Sequence, residues 1–316
     1  MQDQVHKHLT QQTSQQLNRL LEQVGSIVVG KPTQIRHGVA CLLAGGHLLI
    51  EDLPGVGKTT LAHALAQSFG LAFARVQFTA DLMPSDLIGV SIYERAREGF
   101  VFHQGPVFTQ VLLADEINRA GPRTQSALLE AMEEHQVSCD GQTRALPEPF
   151  FVIATQNPGD QLGTYPLPES QLDRFLMRIQ LGYPDRVAER SLLAGEDRRG
   201  WLARLQPVMT PAELRSVQDS VRAVHVAEPL LDYVQALLAE TRSGRWFRQG
   251  LSPRAGLALL RVARAHALLQ GQGHVSPDDV QAVAVPALAH RLVPVPGAGR
   301  GAGEQVTAMI EALGLV

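Results

Sequence analysis

The sequence predicts an α/β domain, built on a parallel sheet with helices on both faces, followed by an all-α domain. Three observations predict it. An apolar run, His47-Leu48-Leu49-Ile50, passes through a glycine-rich turn into a helix-like stretch, Leu61-Ala62-His63-Ala64-Leu65-Ala66. From there to about residue 181, apolar strands alternate with helical segments, the pattern of a sheet buried on both sides. Beyond Pro184 no further strand signal occurs. A chain of 316 residues accommodates about two domains.

Each element has its local reason. Thr13, Leu17, Leu20, Leu21 and Val24 recur at helical spacing, with Thr13 or Ser14 as cap, so residues 13–24 should be helical. Val28-Val29-Gly30-Lys31 then turns the chain, and 33–44 forms a second helix closed by Gly45-Gly46. Residues 48–51 make the first strand and 59–69 its helix. Further strands are expected at 74–79, 111–115, 150–155 and 177–181, with a helix at 125–135. The segment 81–108 is too long for a simple connection. It carries turn signals at Met83-Pro84-Ser85-Asp86 and Glu98-Gly99, with Phe100-Val101-Phe102 between apolar runs. Residues 136–146 read as a hairpin, because Asp140-Gly141 is a favoured two-residue turn. The helical part has well-marked starts: Thr210-Pro211-Ala212-Glu213 is a capping box, and Ser252-Pro253 and Ser276-Pro277 repeat the cap-then-proline device. The expected division is 1–190 for the α/β part and 191–316 for the helical part.

Composition narrows the function classes. A net charge of −3 argues against a dedicated nucleic-acid binder with a strongly basic body. Cys41 and Cys139 lack metal spacing and read as free thiols of a reducing compartment. The eleven histidines form no metal-binding motif, so a metal site made of protein ligands alone is not expected. The start of the chain, through Gln16, is polar, and no apolar run reaches the ~18–20 residues of a membrane span. A cytoplasmic protein is expected.

The chemistry concentrates at three strand ends. Pro54-Gly55-Val56-Gly57-Lys58-Thr59-Thr60, between a strand and a helix, has the layout of a phosphate-binding P-loop. Glycines let backbone N–H groups converge on a polyphosphate, and the following helix aims its positive end at the same point. Lys58 would reach the terminal phosphates, and the Thr59 hydroxyl would hold Mg²⁺. The pattern departs at its first position, where Asp52 stands in place of glycine. The alternative is a glycine-rich turn with an incidental lysine. Val111-Leu112-Leu113-Ala114 then ends in Asp115-Glu116, as nucleotide hydrolysis requires. Asp115 would orient Mg²⁺ or its water, and Glu116 would polarise the attacking water as general base. A third apolar strand runs into Gln156-Asn157-Pro158. In a parallel sheet these ends share one crevice, so Asn157 could reach the γ-phosphate or the water; it could equally be turn punctuation.

Taken together, these stretches resemble the AAA+ ATPases and, among them, the MoxR family. The resemblance rests on Leu53 to Thr59, Gly105-Pro106-Val107-Phe108, Ala114 to Ala120, Thr124 to Met132, Ala154 to Pro158, Gly163 to Glu169 and Gln171-Leu172-Asp173-Arg174-Phe175, in order and suitably spaced over about residues 25–300. An acidic pair at Glu51-Asp52 is usual in that family. The resemblance implies an AAA+ core with a C-terminal helical lid, and a ring, taken as a hexamer, that hydrolyses Mg-ATP between subunits. It places Val29 and Gly30 beside the adenine and makes Asn157 sensor 1. Arg174 would be the arginine finger offered to the neighbouring subunit, and Arg254 the lid's sensor 2. Residues 81–108 would be the helix 2 insert and 136–146 the pre-sensor 1 hairpin. The implied function is chaperone-like remodelling or maturation of client complexes, with a separate von Willebrand A-domain protein as partner. The alternatives are a nucleic-acid-stimulated ring motor, a metal-chelatase-like ATPase subunit, or a nucleotide-gated scaffold that hydrolyses little.

Overall fold

The computed structural model describes residues 2–158, 163–195, 198–202, 204–297, 299 and 301–314, with side chains from residue 13 on except at 198–199. Elements run in chain order as follows. α1 (Gln2–Ile27) and α2 (Pro32–Leu43) precede β1 (His47–Glu51), α3 (Lys58–Ser68) and β2 (Phe73–Gln77). Then come α4 (Pro84–Ile88), β3 (Gly89–Glu94), β4 (Gly99–Gln104), β5 (Val111–Asp115) and α5 (Pro122–Glu134). β6 (Gln136–Cys139), β7 (Gln142–Ala145), β8 (Phe151–Gln156), α6 (Glu169–Leu172) and β9 (Phe175–Ile179) complete the α/β part. The remaining helices are α7 (Arg186–Leu193), α8 (Arg198–Leu202), α9 (Pro211–Ala223), α10 (Glu228–Thr241), α11 (Pro253–Leu269), α12 (Pro277–Leu288) and α13 (Ala302–Leu313).

The main sheet has five parallel strands in the order β2-β5-β8-β1-β9. Alternation along each strand feeds two cores. Leu48, Ile50, Val111, Leu113, Phe151 and Ile153 point to one, which α1, α2, α3 and the C-terminal helices complete. Leu49, Leu112, Ala114, Val152 and Ala154 point to the other, closed by residues of α4 and α5. Because both faces are covered, β5 is apolar throughout and only its last residue carries charge.

Several elements differ from their sequence expectation. α1 extends well beyond 13–24, since no proline or glycine interrupts it before Gly25. The segment 81–108 folds as the short helix α4 and an antiparallel hairpin, β3–β4, separate from the main sheet. Consecutive apolar residues at 100–102 mask the period-two alternation of that hairpin. The second small sheet pairs β6 with β7 across Asp140 (φ 52°) and Gly141 (φ 72°), the positive-φ pair that such a tight turn needs. The C-terminal helices begin as their caps dictate. The Thr210 hydroxyl accepts from the Glu213 amide, that of Ser252 from Ala255, and that of Ser276 from Asp279. Among the described residues, no helix is long and apolar enough to cross a membrane.

Candidate nucleotide site

β1 ends at Glu51, and the Asp52 amide continues the ladder by donating to the Gln156 carbonyl at 3.1 Å. The chain then turns through Leu53 to Gly57. Gly55 (φ 83°) and Gly57 (φ 98°) adopt left-handed backbone that L side chains avoid. No atom lies within 4 Å of where a Cβ would stand at either, so the concave side is open. Gly57 starts α3 and no side chain caps that helix, so its first amides face the loop. Lys58 donates to the carbonyls of Asp52 and, at 3.1 Å, Leu53. Burial pulls its amine below the usual lysine range, and the charges of Asp52, Asp115 and Glu116 push the other way. Thr59 and Thr60 occupy the first turn of α3.

Two strands along the sheet from β1, β5 delivers Asp115 to the same end. Asp115 is buried. Its Oδ1 accepts from the Thr155 hydroxyl at 2.6 Å, and its Oδ2 accepts from Arg75 at 2.6 and 3.1 Å. Glu116 stands in left-handed backbone at φ 57°, which swings its side chain away from the strand direction. Its carboxylate takes the Gln77 amide at 2.9 Å and Arg119 at 2.8 Å, while its own N–H donates to Thr155 Oγ1 at 2.9 Å. Thr155 therefore ties the two acidic residues together. Asn157, half-buried, follows β8, the strand between β1 and β5. The structure thus gathers the P-loop, Asp115, Glu116 and Asn157 at the C-terminal ends of three adjacent strands.

Val29 and Gly30 join this end from the α1–α2 turn. Gly30 (φ 73°) leaves no room for a Cβ, which would stand 2.8 Å from Ala188 Cβ. Lys31 Nζ donates to the Tyr183 carbonyl at 2.5 Å, and the Gly182 amide donates to Asp52 Oδ2 at 2.6 Å. The turn, the β9–α7 connection and the P-loop are thereby in one network.

Arg174 and Arg254 lie elsewhere. Arg174 immediately precedes β9 and so sits at the opposite, N-terminal end of the sheet, near His47 at the start of β1. It pairs with Glu133 at 3.0 Å rather than with its neighbours Asp173 or Glu169. Arg254, at the first turn of α11, pairs with the same Glu133 at 3.3 Å and reaches Asp173 at 3.8 Å. Arg291, 6% exposed, holds Asp173 at 2.7 Å. These groups line a cavity of about 340 Å³. The two arginines are together, and the P-loop of the same chain is at the other end of the strands.

Sequence reading missed Arg75, Gln77, Arg119, Thr155 and Glu133. Only the alternation of polar Arg75 and Gln77 on β2, which pairs in parallel with β5, carries a signal for two of them.

The site suits Mg-ATP in its donor chemistry. Open left-handed glycines and an uncapped helix start fit a polyphosphate, and one carboxylate with one threonine hydroxyl fits Mg²⁺, which keeps phosphate oxygens and waters as its other ligands.

Comparison with known proteins agrees with this geometry. Residues 47–177 match the ATPase family associated with various cellular activities (AAA), and residues 239–311 match the AAA lid domain. The chain is 44% identical to the uncharacterized protein YeaC of Bacillus subtilis, over 88% of this chain and 87% of that one. It is 41% identical to the chaperone MoxR1 of Mycobacterium tuberculosis (88% and 75% covered) and 34% identical to the protein MoxR of Paracoccus denitrificans (85% and 86% covered). A crystal structure of a candidate ATPase from Cytophaga hutchinsonii superposes with a TM-score of 0.90 at 34% identity, covering 100% of this chain and 99% of the other. With AAA core and lid both matched and MoxR proteins running alongside most of its length, the chain belongs to the MoxR family of AAA ATPases.

Proposed function

We propose that this chain hydrolyses Mg-ATP at the interfaces of a closed homo-oligomeric ring and uses the cycle to remodel or mature client protein complexes. The observation that carries the reading is the separation of its charges. Lys58, Asp115, Glu116 and Asn157 meet at one end of the sheet, and Arg174 and Arg254 present cations at the other. A five-residue strand spans about 16 Å, so these arginines do not serve their own P-loop in this arrangement. A head-to-tail neighbour brings the two ends together, and repeating that contact closes a ring; six subunits is the number the family resemblance implies.

Each residue then has a task. Backbone amides of the loop and Lys58 hold the β- and γ-phosphates, with Val29 and Gly30 beside the base. Mg²⁺, held through Thr59 and Asp115, supplies neutralisation of the developing phosphate charge. Glu116 orients and deprotonates the attacking water, and Asn157 positions it against the γ-phosphate. Arg174 of the neighbouring subunit stabilises the transition state, with Arg254 beside it reporting the nucleotide to the lid. The relative named a chaperone supports the client-remodelling part of the reading. A von Willebrand A-domain protein is the partner this reading expects.

The test is Glu116→Gln. It should bind Mg-ATP, fail to turn it over, and grow by light scattering to about six subunits when ATP is added. Turnover at the wild-type rate would remove Glu116 as the base, and a persistent monomer that binds ATP would remove the ring.

A further inference from the structure

Asp52 occupies the position where the P-loop pattern carries its first glycine. A carboxylate beside a polyphosphate site is unfavourable by simple charge repulsion, so its presence needs a compensating role. The structure shows where its bonds go. Asp52 is 8% exposed, and backbone amides take both of its carboxylate oxygens. Oδ1 accepts from the Leu53 amide at 2.8 Å, and Oδ2 accepts from the Gly182 amide at 2.6 Å. Its own amide donates to Gln156, the residue before Asn157, and its carbonyl accepts from Lys58. A glycine could make the two backbone bonds and neither of the carboxylate bonds.

Gly182 lies in the connection between β9 and α7, the stretch through which the chain leaves the α/β part for the helical part. The next residue, Tyr183, offers its carbonyl to Lys31, and Asp185 caps α7 by accepting from Ala188. One charged hydrogen bond therefore fastens the first residue of the phosphate loop to the entrance of the lid. Bonds of this kind to an ionised acceptor are about twice as strong as neutral ones.

Resting on the nucleotide reading above, we propose that Asp52 is a positioning residue that couples the P-loop to the β9–α7 connection and so passes the nucleotide state to the lid. Phosphate binding draws Lys58 from the Asp52 and Leu53 carbonyls toward the ligand. The backbone at 52–53 loses those two bonds and readjusts. The carboxylate carries that readjustment to Gly182, because the two groups are joined directly. With glycine at this position the loop could move without the connection following.

The experiment compares the full-length wild type, Asp52→Asn and Asp52→Gly. Asparagine keeps the shape and one acceptor oxygen; glycine restores the usual P-loop residue and adds no bulk, so it keeps the test open if the first variant folds poorly. Steady-state ATPase is measured with amide hydrogen exchange over 182–188, with and without Mg-AMP-PNP. In the wild type, nucleotide should change exchange in this segment. In Asp52→Gly that nucleotide-dependent change should be lost, with the Gly182 amide exchanging about tenfold faster, as removal of a bond to a charged acceptor predicts; in Asp52→Asn, where a neutral acceptor remains, both effects should be smaller and in the same direction. kcat should fall while KM stays within about threefold, the signature of lost coupling rather than lost binding. Wild-type nucleotide-dependent exchange in the variants would overturn the proposal, as would loss of nucleotide binding itself. A wild type that does not bind Mg-AMP-PNP would instead overturn the functional reading on which the proposal rests.

Discussion

Thr155 shows how much a single hydroxyl organises. It donates to Asp115 and accepts from the Glu116 amide, so it fixes both the Asp115 carboxylate and the backbone of Glu116, the two groups to which the proposed reading gives Mg²⁺ and the attacking water. Thr155→Val keeps the β-branched shape on a buried strand and removes both bonds. Its kcat for ATP should fall about tenfold or more, from the loss of a hydrogen bond to a charged acceptor, with ATP affinity little changed. Thr155→Ser should recover much of the rate. Normal turnover in the valine variant, measured by phosphate release, would show that neither bond matters. Asp115 and Glu116 were legible in the sequence because an apolar strand ending in two acids is a local pattern. Thr155 was not, because it reads as one more β-branched strand residue until strand order places it beside Asp115.

Elements are held together by equally specific contacts. His47 opens β1, accepts at Nδ1 from the Val152 amide of β8 at 2.9 Å, and reaches the Met132 carbonyl of α5 with Nε2 at 3.0 Å. Since Nδ1 accepts, Nε2 carries the proton, and the ring is neutral. Burial pushes its pKa down to about 4, against the hydrogen bond to Met132, which raises it. The sign follows directly. Between the ordinary imidazole value of 6.5 and about 4 the unfolded chain binds a proton that the folded chain refuses, so stability falls as pH drops through that window. His37, also lowered to about 4 by burial, adds to the same loss. His47→Gln supplies one acceptor and one donor without titrating, so urea midpoints should fall less on acidification from pH 7 to about 4 in this variant. An equal loss in both proteins would take His47 out of the account. At this scale the parallel sheet and the capped C-terminal helices were readable, since their signals repeat within a few residues. The β3–β4 hairpin was not, because both of its faces carry apolar residues and the alternation is blurred; Tyr93 and Phe100 meet edge to face at 5.5 Å yet remain exposed.

For the whole molecule, the telling feature is the distribution of charge between the two ends of the sheet. Glu133 holds Arg174 and Arg254 together where, on the proposed reading, a neighbouring subunit docks. These half-exposed ion pairs are weak, so a phosphate dianion can displace the carboxylate at little cost. Arg174→Ala should bind ATP and hydrolyse it at least a hundredfold more slowly, given what an arginine finger contributes to phosphoryl transfer. Mixed with Lys58→Ala subunits, which keep their arginine and lack a working P-loop, it should regain part of its ATPase activity. Assembled mixtures with no rescue would mean that the arginine does not act across the interface.

The sequence by itself determined the succession of main-sheet strands and their helices along the chain, the glycine-rich loop, the acidic pair and the family, because each is encoded within a short stretch of chain. Tertiary structure alone decided that Asp52 reaches Gly182, that Arg75 meets Asp115, and that Arg174 and Arg254 share Glu133 at the end of the sheet remote from the P-loop. The reason is physical. These partners are set by which strands lie side by side and at which end each segment emerges, and strand order in a parallel sheet is fixed by packing of both faces against helices distant in the chain, not by any local preference.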